Sequence, residues 1–314
     1  SRIQNEKIDY KLISISGIQR SVFPKAIFSN IKTLIEIFFG FFIIMNFFFK
    51  HKPNLVISTG GYSSFLPLQI AKILRIPYVL HEQNSYPGIV TKMFSSNAKV
   101  TFLGFENAKN YMQKTKTIFS GNPILLSETE DIELKKTPEL ATVLIFGGSQ
   151  GSKFLNDKIK ILAEDKKLNF ANIVWIVGEK NYDSLKHLDG KNITIMHYCN
   201  KMSSLYKKVD LVVSRSGAMT IAELIHFKKP SILVPFKFSA ENHQYHNAKY
   251  LQDKLCSSLI EEDSFDIQKF LEKLENLSSN ERIINSMIKN FQKISTPNTL
   301  DIISDFIVKE KYVV

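Results

Sequence analysis

The chain has 314 residues, 44% of them hydrophobic and 23% charged, a balance that accommodates two globular domains and excludes a disordered or fibrous protein. Its two cysteines, Cys199 and Cys256, cannot build a disulfide framework, and its seven histidines fall in no metal-ligand spacing; a reducing, cytoplasmic setting without a structural metal is expected. The net charge of +11 is spread along the chain, so it fits either attraction to anionic lipid and phosphorylated ligands or a general lean toward lysine, and no nucleic-acid motif accompanies it.

The chain opens on Ser1 with no signal-peptide pattern. Ile8–Ser16 reads as a first strand. The run Ile37–Phe49 (IFFGFFIIMNFFF) is the most hydrophobic stretch, yet it falls short of the ~20 residues needed to span a bilayer, and Gly40 and Asn46 interrupt it. It reads as a crossover helix packed on a sheet. Because it is apolar nearly all round and flanked by Lys32, Lys50, His51 and Lys52, it also suits the headgroup boundary of an anionic membrane. Changing Phe41 and Phe42 to serine is expected to weaken that contact.

Strands follow at Asn54–Thr59, Pro77–His81, Ala98–Leu103 and Thr117–Phe119, with a helix over Ser64–Arg75. The segment SETEDIELKKTPEL is polar and lacks apolar periodicity, which puts a boundary between Gly121 and Leu140. A second series runs through strands Thr142–Phe146, Ile173–Val177, Ile193–His197, Asp210–Ser214 and Ser231–Pro235, with helices at Lys153–Ala163 and Ala218–Phe227. The tail from Ser264 to Lys309 is helical. Alternation of this kind, with continuous apolar runs such as TVLIF and DLVVS, implies an α/β fold of parallel sheets covered on both faces. Residues 1–124 and 125–296 are expected to form two domains, with 297–314 returning to brace the first.

Three glycine-bearing turns, STGGYSS at Ser58–Ser64, FGGSQGS at Phe146–Ser152 and SRSGAMT at Ser214–Thr220, each end an expected strand and open an expected helix. Glycine lets the backbone approach a ligand, and the free N–H groups of a helix start attract an anion. Together they point to a phosphate-bearing ligand across the strand ends, although none matches the P-loop or the full dinucleotide pattern. In VLHEQNSYPG (Val79–Gly88), His81 beside Glu82 can act as a general base with an orienting carboxylate, or the loop can simply fix its own backbone. Glu223, one to two turns into the helix after SRSGAMT, can accept ribose hydroxyls, or serve only the helix dipole. The amide- and imidazole-rich start Glu241–Leu251 suits sugar hydroxyls.

These segments (STGGYSS, PYVLHEQNSYPG, FSGNP, VLIFGGSQGS, DLVVSRSGAMTIAEL and PSILVPF…HQYHNA) resemble in order and spacing the MurG family, from about Ile8 to the C-terminus. That family moves N-acetylglucosamine from UDP-N-acetylglucosamine to undecaprenyl-diphosphate-linked N-acetylmuramyl-pentapeptide, converting lipid I to lipid II in peptidoglycan synthesis. The resemblance implies a GT-B fold of two Rossmann-like domains, anomeric inversion, no cofactor and no cleft-bound metal. It implies a peripheral enzyme on the cytoplasmic face of the inner membrane. It further implies that Ser149 and Gln150 contact the donor diphosphate, and that Cys199, backed by Met202, presents backbone to uracil. The turn Ala218, Met219, Thr220, Ile221, Ala222 and Glu223 holds phosphate and ribose; Gln244 reaches the sugar, and Asn84 borders the donor. His81 is the expected base for the muramyl 4-hydroxyl.

Two departures stand out. Nothing here matches the family's opening strand and GGTGGH loop, so the chain is expected to be a fragment lacking about a βαβ unit and hence inactive as given. Leu125 after GNPI stands where the family often has Arg. The alternatives are a related GT-B glycolipid synthase, a UDP-sugar epimerase, or a non-catalytic module that binds UDP-sugar without transferring it.

Overall fold

The structure, a computed structural model, describes residues 12–13, 24–112, 115–126, 132–134, 137–148, 151–310 and 312, with side chains in the first helix from Asn30 onward. The expected strand Ile8–Ser16 lies outside these residues except for Leu12 and Ile13, and so do Ser149 and Gln150.

The first sheet is wholly parallel and runs in chain order, β1 (Val56–Ser58), β2 (Tyr78–Glu82), β3 (Thr101–Leu103) and β4 (Thr117–Phe119). All five residues of β2 are buried, as a strand covered on both faces requires. Helices α1 (Pro24–His51), α2 (Phe65–Ile73) and α3 (Ile89–Ser95) accompany it.

Helix α1 is longer than the sequence reading allowed. It is a 28-residue helix, and Asn30–His51 is long and apolar enough to cross a bilayer by length and composition. The shorter estimate came from counting only the unbroken apolar run; Asn46 and Glu36 sit inside the helix without ending it. Thr33, Gly40, Ile44 and Phe48 recur at helical spacing and are buried, forming a stripe that packs on α2. Gly40 lies so close that a Cβ there would sit 2.9 Å from Leu66 Cδ1. The opposite face leaves Ile31, Leu34, Ile35, Phe38, Phe39, Phe42, Ile43 and Phe49 exposed.

The second sheet is also parallel, with strands in the order β10-β9-β8-β5-β6-β7. Its strands are β5 (Thr142–Phe146), β6 (Asn172–Ile176), β7 (Ile193–Met196), β8 (Leu211–Ser214), β9 (Ser231–Leu233) and β10 (Ser257–Leu259). Sequence reasoning missed β10, whose serines carry little strand signal. The order runs outward from β5 through β6 and β7 on one side and from its neighbour β8 through β9 and β10 on the other. This is the doubly wound order, with its switch point between β5 and β8.

Helices α4 (Lys153–Glu164), α5 (Glu179–Leu185), α6 (Met202–Lys208), α7 (Ala218–His226), α8 (His243–Asp253), α9 (Ile267–Ser279) and α10 (Glu281–Phe291) go with this sheet. Two apolar clusters cover its faces, one around Val143, Ile145, Trp175 and Phe270, the other around Leu144, Val212, Tyr206 and Leu251. Alternate residues of β5 thus serve opposite faces, the period-two pattern of a strand.

After α10 the chain returns to the first sheet. Helix α11 (Thr299–Lys309) packs Ile302, Ile303 and Phe306 on Val79, Val100 and Phe102. The Phe306 ring stands edge-on to Phe102, with centroids 5.5 Å apart, and Thr299 Oγ1 donates to Ser120 O at 2.8 Å.

Candidate functional site

The turns after β5 and β8 leave the second sheet at its switch point, where a doubly wound sheet opens a crevice beyond its strand ends. After β5 the backbone folds tightly. A Cβ on Gly147 would fall 2.2 Å from Ser152 N, and one on Gly151, at φ +73°, would fall 2.7 Å from Val177 O. Only glycine fits either position. Ser152 Oγ caps α4 by accepting the Leu155 N–H at 3.3 Å. Asn156 fixes the helix by donating to Val177 O and accepting from Trp175 Nε1.

The start of α7 differs. Its N-cap is Gly217, no side chain caps it, and the Ile221 N–H donates to Gly217 O at 3.0 Å. The N–H groups of Ala218, Met219 and Thr220 therefore precede the first intrahelical bond, at the positive end of the helix dipole. Met219 is exposed. Ile221 is fully buried in the core with its N–H engaged, so neither its side chain nor its amide is free for a ligand. Ala222 lines a cavity of about 370 Å³ together with Asn122, Tyr250 and Pro297.

Glu223, a turn beyond, accepts the Tyr206 O–H at 2.9 Å through Oε2. Burial raises the Glu223 carboxyl, and the Tyr206 bond opposes that rise. Burial and the neighbouring Glu223 together push the Tyr206 phenol well up, so Tyr206 stays a donor. Arg215, itself buried, braces the turn from below by pairing with Glu262 and donating to the carbonyls of Val234 and Pro235.

Cys199 lies in the segment joining β7 to α6 and Met202 opens α6, both half-buried beside the second apolar cluster. Burial raises the Cys199 thiol. Gln244 accepts the Phe236 N–H through Oε1 at 2.9 Å, which leaves its Nε2 as the group able to turn toward a ligand.

The loop after β2 is held by its own polar groups. Glu82, buried, accepts from Asn84 N and Nδ2 through Oε1 and from Gly88 N through Oε2. His81 is also buried; its Nε2–H donates to Gly121 O at 3.0 Å, so its Nδ1 accepts from Gln83 Nε2 at 3.1 Å. Burial lowers the His81 pKa against smaller raising effects of that carbonyl and of Glu82. Both Asn84 side-chain atoms are engaged as well, Nδ2 with Glu82 and Oδ1 with Asn247.

Asn247 joins the two sheets' loops. It has no exposed surface, and it accepts the Ser85 N–H at 2.9 Å while donating to Asn84 Oδ1 and to Ser216 O. Beside it, Tyr86 stacks on His246, with centroids 4.7 Å apart, under the Lys92 ammonium, and its carbonyl accepts the His243 Nδ1–H at 3.0 Å. Sequence reasoning quoted the HQYHNA motif without singling out Asn247 or His243, and it missed Tyr206 and Arg215. Only the three-dimensional pairing distinguishes them from ordinary core and surface residues.

The model of the glycosyltransferase family 28 C-terminal domain matches residues 142–301, and that of the family 28 N-terminal domain matches residues 1–103. A protein of Thermosipho africanus named UDP-N-acetylglucosamine--N-acetylmuramyl-(pentapeptide) pyrophosphoryl-undecaprenol N-acetylglucosamine transferase is 37% identical over 276 residues, covering 87% of this chain and 78% of the relative. A Flavobacterium psychrophilum protein of the same name is 33% identical over 311 residues, 96% of this chain and 83% of its own. Among solved structures, that of Acinetobacter baumannii MurG superposes with a TM-score of 0.76 at 23% identity, covering 98% of this chain and 86% of that one. A UDP complex of S. aureus MnaA gives a TM-score of 0.67 at 13% identity, over 88% and 81% of the two chains. The likeness to these structures establishes the expected fold, GT-B with two Rossmann-like parallel-sheet domains.

Proposed function

Since the chain belongs to glycosyltransferase family 28, we propose that it transfers N-acetylglucosamine from UDP-N-acetylglucosamine to undecaprenyl-diphosphate-linked N-acetylmuramyl-pentapeptide, converting lipid I to lipid II in peptidoglycan synthesis. The relatives that carry this name match nearly the whole chain. The structural observation that carries the reading is the uncapped start of α7 at the sheet's switch point with the Glu223 carboxylate one turn on, a diphosphate and ribose site in miniature.

The reaction is a single in-line displacement with inversion. The muramyl 4-hydroxyl attacks the anomeric carbon from the face opposite UDP, and the departing diphosphate gains charge toward the N–H groups of Ala218, Met219 and Thr220. Ser149 and Gln150 of the glycine turn serve the same phosphates. Glu223 accepts the ribose hydroxyls, the Cys199 backbone meets uracil with Met202 behind it, and Gln244 Nε2 donates to the sugar. Asn84 borders the donor by shaping the loop, its own amide being spent on Glu82 and Asn247. His81 is the proposed base through Nδ1, which requires Gln83 to release that nitrogen.

The exposed face of α1 supplies the attachment to an anionic membrane on the cytoplasmic side. Its opposite face is spent on α2, so the helix lies in the headgroup boundary and does not span. Incubation of the intact protein with UDP-N-acetylglucosamine and lipid I should yield lipid II and UDP. Formation of a glycosylated diglyceride in its place, or UDP-N-acetylglucosamine turnover without any acceptor, would reject the assignment.

A further inference from the structure

We propose that Tyr206 is a positioning residue for the donor, holding the Glu223 carboxylate ionised and aimed so that it can accept the ribose hydroxyls. The inference rests on the ribose role given to Glu223 above.

Tyr206 has no exposed surface, and its one polar atom is spent on Glu223 Oε2 at 2.9 Å. Its ring is fixed on two sides. It stacks on Phe227, which follows the end of α7, with centroids 5.2 Å apart and planes 17° from parallel. It meets Phe146, the last residue of β5 before the glycine turn, edge-on at 6.4 Å. The phenol is thus wedged between the end of the central strand and the far end of the helix whose start faces the ligand. A tyrosine held this way gives its hydroxyl a single direction, and that direction is the carboxylate.

The effect on Glu223 is twofold. One oxygen is tethered, so the carboxylate is held to one rotamer, with Oε1 and the remaining lone pair of Oε2 left to accept other donors. The donated proton also favours the charged form against the burial that disfavours it. A carboxylate accepts from both ribose hydroxyls, whereas a carboxylic acid has given up part of that capacity. The cost of burying a phenol so deeply is met by a bond to a charged acceptor, which is stronger than one to a neutral group.

Tyr206→Phe removes one oxygen and leaves the ring packing. Binding of UDP and of 2′-deoxyuridine 5′-diphosphate should be measured by titration calorimetry on the wild type, Y206F and E223Q. UDP affinity should fall roughly ten- to 150-fold in Y206F, the worth of a hydrogen bond to a charged group. The 2′-deoxy ligand should lose less, so discrimination between the two shrinks. The UDP affinity of Y206F should also decay at a higher pH on acidification than that of the wild type. Unchanged UDP affinity, or an equal loss for both ligands, overturns the positioning role and leaves Tyr206 a packing residue. If E223Q keeps the wild-type discrimination, the ribose role of Glu223 itself fails; if E223Q abolishes it and Y206F does not, only the role of Tyr206 fails. Should Y206F not fold, 3-fluorotyrosine at position 206 gives the same decision. Its 19F resonance should shift with UDP and less with the 2′-deoxy ligand, and an equal or absent response to both rejects the proposal.

Discussion

Asn247 Nδ2 lies 3.1 Å from Asn84 Oδ1, a hydrogen bond between a helix of the second sheet and the loop after the second strand of the first. With the Ser85 N–H and the Ser216 carbonyl as its other partners, this one amide ties the loop after β2 to the turn after β8 through three hydrogen bonds. No aliphatic or charged side chain of similar size can serve all three.

The amide therefore cannot be exchanged for a carboxylate. Asn247→Asp should cost about 2–4 kcal/mol of stability, because an acceptor would face both Asn84 Oδ1 and the Ser216 carbonyl in a dry site. Asn247→Ala should cost about 1–3 kcal/mol by leaving those groups unpaired. Urea unfolding of the two variants tests the order; an aspartate variant as stable as the alanine one would contradict it.

His81 gives the fold a pH dependence of definite sign. Its pKa is lowered by burial from the ordinary 6.5, so the unfolded chain takes up the proton more readily than the folded one. The stability this provides is present above about pH 6.5 and is lost as pH falls through the lower folded value. Thermal melts between pH 7.5 and 5.5 should show the decline, and His81→Gln should flatten it. The same variant addresses the proposed base, since near-normal turnover without an imidazole would remove His81 from the chemistry.

Arg215 and Glu262 form a buried pair, each with less than a tenth of its side chain exposed. Removing one partner strands the other charge, at about 3–5 kcal/mol. Glu262→Gln keeps a neutral acceptor and should cost less than Glu262→Ala. Chemical denaturation checks the ranking, and UDP binding should weaken in both, because Arg215 shapes the turn that opens α7.

Vesicle flotation tests the face of α1. The informative pair is Phe38 and Phe42, 60% and 56% exposed with rings 5.1 Å apart, because Phe41 is half-buried against the α1–α2 core. Phe38→Ser with Phe42→Ser should leave the melting temperature nearly unchanged and abolish flotation with anionic vesicles. Phe41→Ser should lower stability. Flotation of the double variant at wild-type levels would refute the membrane face.

The architecture was legible because buried parallel strands carry unbroken apolar runs, and β4 and β5 lie where TIF and TVLIF placed them. The extent of α1 was not, since helical periodicity tolerates Glu36 and Asn46, which a count of consecutive apolar residues does not. At the candidate site, the glycine turns were legible because close backbone approach and positive φ favour glycine, whereas Glu223 read equally well as an acid serving the helix dipole. Tyr206, Asn247 and Arg215 were not legible. Their importance lies in partners 17, 163 and 47 positions away, and nothing local in the sequence marks such pairings.

The return of α11 to the first sheet has a consequence for how the molecule comes into being. Val79, Val100 and Phe102 need Ile302, Ile303 and Phe306 to close their side of the sheet. During translation the half that leaves the ribosome first is completed only after the other half has been made. Until residues 299–309 emerge, that unfinished apolar surface stays open, and chaperone occupancy of nascent chains should persist to that point and then fall.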